Sequence, residues 1–175
     1  MDHLPRTWLL HPLGRFRPMI DAENYLRVWV PTNRTDRKGR FTHMDGWNEL
    51  LHSYEISRAI GNRRMRQNIR YVASFVALAM KLQKWAPMRD KTTATPCIVR
   101  LTFVERDRRR DVGNIHGGAK YALDALTARH EHGAAAIYDD SQRWLPDVMY
   151  RIETTGHEFH EPGLLIEVAR KREDQ

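Results

Sequence analysis

Between Glu55 and Phe103 the apolar period of the chain switches from helical to extended, and the fold must accommodate both. Met65, Ile69, Val72, Val76 and Met80 recur every three or four residues, which predicts a helix over about 55–85 with that face in the core. Arg63, Arg66 and Arg70 recur at i, i+3 and i+7 on another side. Such a stripe is ordinarily a solvated face, and it can also follow a phosphate backbone. Gly61-Asn62 is a candidate break near the start of this helix, and Pro87 is expected to end it. Then Cys97, Val99, Leu101 and Phe103 alternate with Ile98, Arg100 and Thr102, the period of a strand with one apolar face, over about 97–105.

The same two periods recur downstream. Ile115, Ala119, Ala122, Leu123 and Leu126 share a face, predicting a helix over about 115–128 with Asn114 as its cap. Alternation predicts strands over about 147–154 and 163–169, joined through the Gly156 to Gly163 turn region. Tyr25–Val30 also has the composition of a strand. Residues 1–45, with four prolines and the polar stretch Thr32–Arg40, read as an N-terminal extension, packed or partly flexible; residues 46–175 read as one domain. Strands and helices alternate without a repeating βαβ unit, which predicts an α+β fold: a small mixed or antiparallel sheet covered by helices.

Composition narrows the partners. Lys and Arg number 29 against 22 Asp and Glu, a net charge of +7, which favours an anionic partner such as nucleic acid. The single cysteine, Cys97, excludes an internal disulfide and a multi-cysteine zinc site, fits a reducing compartment, and is expected to be buried in its strand. The N-terminal stretch lacks a basic segment followed by an apolar run, and no apolar run approaches about 18 residues, so the expectation is a cytoplasmic protein with no membrane partner.

Chemistry concentrates after the strand at 97–105. That strand runs into Arg108-Arg109-Arg110-Asp111, a positively charged end carrying a carboxylate. Metal-dependent phosphodiester cleavage needs oxygen ligands for Mg²⁺ and positive charge for the substrate, and this end offers both. Lys120 flanks the apolar face of the following helix, within reach of a phosphate. Asp139-Asp140 follows in a loop and reaches the same end of the sheet if the helix packs back; otherwise the pair is an ordinary turn or cap. The histidine groups His130-Glu131-His132 and His157-Glu158-Phe159-His160 lack a His-Glu-x-x-His zinc helix and read as polar loops. Cys97 has no activating base in sight, and Gly117-Gly118 lacks the rest of a phosphate loop, so helix flexibility or close packing is its expected role.

These blocks resemble the RusA family of phage and bacterial Holliday junction resolvases. Asp111-Val112-Gly113-Asn114-Ile115 is similar to the family's Asp-x-Asp-Asn-hydrophobic motif. Gly117 to Leu126, with Lys120 and the ending Asp124-Ala125-Leu126, resembles its lysine-bearing helix, and Asp139-Asp140-Ser141 with Trp144 resembles its Asp-Asp motif. Trp47-Asn48-Glu49-Leu50 with Arg58, Asn62 and Met65-Arg66 is similar to the first helix of short variants. The likeness spans roughly residues 46–170, with its specific motifs between 106 and 144. It implies a homodimeric, Mg²⁺-dependent (Mn²⁺ also serving) endonuclease that nicks opposed strands of a four-way DNA junction. Asp111 and Asp140 would be metal ligands and Lys120 would stabilise charge on the phosphate, with Asn114, Asp124 and Asp139 supporting. The arginines at 63, 66, 70 and 108–110 would meet DNA. One departure is chemical: the family's second aspartate falls at Gly113, which offers no ligand. Loss of even an outer partner costs about 10- to 100-fold in metal affinity or activity, so the sequence also fits an impaired protein that still binds branched DNA. The other departure is a longer link from Thr127 to Tyr138.

Overall fold

A computed structural model describes residues 24–32, 34–35, 37–40, 43–156 and 159–171. Its elements are β1 (Tyr25–Pro31), α1 (Trp47–Ile56), α2 (Arg58–Leu82), β2 (Cys97–Glu105), α3 (Val112–His116), α4 (Ala119–Leu126), β3 (Asp147–Thr154) and β4 (Gly163–Arg170). The strands form one mixed sheet in the order β1-β4-β2-β3. β4 is antiparallel to both β1 and β2, whereas β2 and β3 are parallel and are linked through α3 and α4. The class is therefore α+β. The strand expected near the N-terminus is a member of this sheet, so part of the stretch set apart as an extension belongs to the same core. Residues 1–23, 33, 36, 41 and 42 of that stretch, together with residues 157, 158 and 172–175, lie outside the described residues.

Alternation along each strand generates rows across the sheet. Leu26, Val168, Val99 and Val148 make one row, Val28, Ile166, Leu101 and Tyr150 the next, and Val30, Leu164, Phe103 and Ile152 a third. The first three members of each row are buried in a single cluster with Ile69, Val72 and Val76 of α2 and Tyr121, Ala122 and Ala125 of α4. Each fully buried Leu, Ile or Val contributes about 1.5–3 kcal/mol relative to exposure. Cys97 is among them, completely covered, and burial pushes its thiol up to about 12, which removes it as a nucleophile. β1 is an edge strand, and its outward backbone is met by the Gln83 side chain, which accepts from the Arg27 N–H at 3.0 Å and donates to the Arg27 carbonyl at 2.7 Å.

Two expected helices are each divided. The break in the first falls at Ser57, whose backbone is extended. Its N–H donates to the Ser53 carbonyl and closes α1, while its hydroxyl accepts from the Ile60 N–H at 3.1 Å and opens α2. Gly61 does not break the helix. It lies inside α2, where an added Cβ would come within 2.3 Å of the Tyr54 ring, so its bareness lets α1 fold back on α2. α2 ends at Leu82, ahead of Pro87. The second division is at Gly117-Gly118, between α3 and α4. A Cβ at Gly117 would fall 2.8 Å from the Trp47 backbone and one at Gly118 would fall 2.6 Å from the Asp45 carbonyl oxygen. The glycine pair therefore serves the close approach of residues 45–47, as its lack of a phosphate-loop pattern suggested.

That approach is fastened by Asp45. Its carboxylate is buried and receives Arg34, both Nε and NH2 of Arg64 at 2.7 and 3.1 Å, and the Asn68 amide at 2.9 Å. Its main-chain carbonyl accepts from the Tyr121 hydroxyl of α4 at 2.7 Å. Replacement Asp45→Ala leaves two partly exposed guanidinium groups and the buried Asn68 amide without their acceptor, and it is predicted to cost about 1–3 kcal/mol in chemical denaturation. A loss below about 1 kcal/mol, the scale of a surface pair, would contradict this assignment.

Candidate functional site

The residues singled out in the sequence divide into an exposed cluster on α4 and a charged strand end. On α4, the Lys120 ammonium donates to Asp124 Oδ1 at 2.6 Å and approaches Asp140 Oδ2 at 3.4 Å. Burial pulls its pKa down, but the hydrogen bond and charge of Asp124 and the charge of Asp140 outweigh that and hold it above the ordinary lysine value. Lys120 is thus a fixed cation between two carboxylates, with its side chain 58% exposed. Asp139 shapes the adjoining loop: it accepts from the Asp140 N–H and the Ser141 hydroxyl, both at 3.0 Å. Trp144 anchors the far side of that loop, buried and packed edge-on to Tyr138, with its carbonyl accepting from the Cys97 N–H at 2.8 Å.

Asp111 does not join this cluster. Its carboxylate caps α3, accepting from the Asn114 N–H at 2.9 Å. The loop bearing Asp140 meets α4 through Lys120, and its Trp144 carbonyl is tied to the amino end of β2, whereas Asp111 follows the carboxyl end of β2. Asn114, expected to cap its own helix, instead accepts from the Asn48 N–H at 2.6 Å and caps α1. Gly113 lies within α3 without a positive φ, and an added Cβ would meet only Asp111 Oδ1, at 3.1 Å. The backbone does not require glycine there. Among the described residues, no three His, Cys, Asp or Glu side chains are grouped to hold a metal ion.

The arginines separate by environment. Arg110, expected to meet DNA, is turned inward, donating to Glu105 at 2.8 Å and to Glu49 at 3.2 Å. Arg109 extends outward and bonds Asp107 at 2.6 Å, which lowers the Asp107 carboxyl to about 2. Arg108 is exposed and, with Asp107, Glu105, Val112, Ile152 and Glu153, lines an open cleft of about 290 Å³ at the carboxyl ends of β2 and β3. Arg63, Arg66 and Arg70 are exposed along α2. The site reading missed Glu105 and Glu49. Glu105 falls on the parity of Val99, Leu101 and Phe103, so alternation alone marked it as an acid on the buried face. Burial raises its pKa against the pull of Arg110. Glu49 closes the start of α1 by accepting from the Gly46 N–H at 2.8 Å.

No family model matches the chain, and no curated protein matches it.

Glu49 gives this corner a defined pH response. The hydrogen bond from His43, followed by that from Gly46 and the charge of Arg110, lowers its carboxyl to about 2 from an ordinary value of 4.5. Its folded value is depressed, so its stabilising effect is complete above pH 4.5 and is lost as pH falls toward 2. In denaturation series across that window, Glu49→Gln is predicted to have a flatter pH dependence than the parent. Equal slopes would contradict the assignment.

Proposed function

We propose that this chain is a branched-DNA-binding protein of the Holliday junction resolvase type, RusA-like and homodimeric, in which strand nicking is limited by Gly113. The observation that carries the reading is the Lys120 ammonium, fixed between Asp124 and Asp140 as the exposed residue of an otherwise covered helix, one short helix beyond an arginine-rich strand end. A positioned cation of this kind stabilises negative charge on a phosphate without needing to reorganise during reaction. The outward arginines at 63, 66, 70, 108 and 109 supply the sequence-independent attraction to a phosphate backbone.

Within this reading, binding is the stronger part and cleavage the weaker. A divalent ion engaged in phosphodiester hydrolysis takes several oxygen ligands. At the positions matching the family's acids, the chain offers Asp111 and Asp140, and Gly113 offers none. An aspartate at 113 would stand beside Asp111 with only that flexible carboxylate to displace, in the first turn of α3 where a negative charge is favoured.

The test is Mg²⁺-dependent nicking of a synthetic four-way junction. The parent is predicted to nick slowly or undetectably while binding the junction, and Gly113→Asp to gain activity. In that background, Lys120→Ala is predicted to depress nicking more than binding, because charge stabilisation acts mainly in the transition state. Vigorous cleavage by the parent that survives Asp111→Asn and Asp140→Asn would refute the site assignment.

A further inference from the structure

The histidine pair after α4 has no part in the site above, yet its geometry is specific. Thr127 Oγ1 accepts from the His130 N–H at 3.2 Å, and His130 Nδ1 accepts from the His132 N–H at 3.2 Å, which closes a tight turn. Gly133 seals it against the end of α4, since an added Cβ there would fall 1.9 Å from the Thr127 carbonyl oxygen. The two imidazole rings lie 5.7 Å apart. The turn presents His132 to α2 at the last residue of the arginine stripe: His132 Nε2 is 3.0 Å from Arg70 NH2. The same Nε2 is 3.0 Å from Glu131 Oε1.

These two contacts exclude each other. A guanidinium only donates hydrogen bonds and an ionised carboxylate only accepts them. Without a proton, Nε2 accepts from Arg70. With a proton, it donates to Glu131, and Arg70 then faces a cation. His132 is well covered, its side chain 17% exposed, whereas Glu131 is 69% exposed. The ring is therefore held in place while its partners have room to exchange. The charged or titratable groups recorded around His132 are Arg70 from α2 and Glu131 and His130 from its own turn.

We propose that Arg70 and His132 form a proton-controlled contact for a phosphodiester group at the end of the α2 arginine stripe. The proposal rests on the DNA-binding reading above and adds a regulated contact to it. With Nε2 unprotonated, the imidazole occupies Arg70. With a proton on Nε2, His132 turns to Glu131 and Arg70 is released toward solvent beside Arg66 and Arg63. A phosphate oxygen then meets a free guanidinium where it previously met one that was already engaged.

The test measures binding of a short linear DNA duplex over a salt series at about pH 5.5 and about pH 8, for the parent and for His132→Gln. Each additional phosphate contact steepens log affinity against log salt by about 0.9. The parent is predicted to be steeper at the lower pH by about one such contact. His132→Gln keeps an acceptor for Arg70 but cannot take the proton, so most of the difference should disappear, whatever the other histidines contribute. Imidazole nitrogen spectra of the free protein should show His132 unprotonated at Nε2 at the higher pH. Equal slopes in the parent, or a pH response that His132→Gln retains in full, would overturn the switch while leaving DNA binding intact. Failure to bind duplex or junction at either pH would overturn the functional reading and the proposal with it.

Discussion

The carboxylate of Asp45 is the point at which separate parts of this chain become one structure. Withdrawing an ionised carboxylate from water costs several kcal/mol, and the cost is offset only where the geometry is good and the oxygens are fully bonded. Here the loop after β1 supplies Arg34, α2 supplies Arg64 and Asn68, and the adjacent main chain holds α4 through Tyr121. The bare glycines at 117 and 118 let this segment approach closely enough to make those bonds. Their consequence is functional as well as structural. α4 is fixed relative to α2, and with it Lys120 relative to the arginine stripe.

Charge in this protein therefore has two roles that a net value of +7 does not distinguish. Arg34, Arg64 and Arg110 are bonded to carboxylates of limited exposure and hold the framework. Arg63, Arg66, Arg70, Arg108 and Arg109 lie at the surface, where a polyanion can reach them. Fewer cations are thus available to a polyanion than the composition suggests. In the proposed complex with DNA, the salt dependence of binding would report the outward group.

The strands and the apolar faces of the helices were legible because each follows a repeat of two or of three to four residues that burial enforces. The helix boundaries were not. Ser57 resembles any other serine in the sequence, and its double capping role depends on a reversal of direction that α1 and α2 make together. Gly61 looked like a helix breaker and is instead a contact surface for Tyr54, a partner seven residues away whose approach no periodicity encodes. Asn114 and Arg110 were assigned by local context to a cap and to DNA, and both are taken by residues of α1 far back in the chain. Glu105 was the opposite case, since the parity of its strand already placed it inside. The cluster of Lys120 with Asp140 was legible only through motif likeness, because it depends on how the loop after α4 folds back over that helix.

In the proposed function, the surface cations around α2 and the β2 end meet branched DNA in preference to linear duplex. The most direct measurement is a competition between a synthetic four-way junction and a linear duplex of the same length, at moderate salt and without divalent ions. The account predicts that the junction is bound preferentially and that affinity for both falls steeply as salt rises, with a slope of about −0.9 per phosphate contact. Equal affinity for the two forms would contradict it.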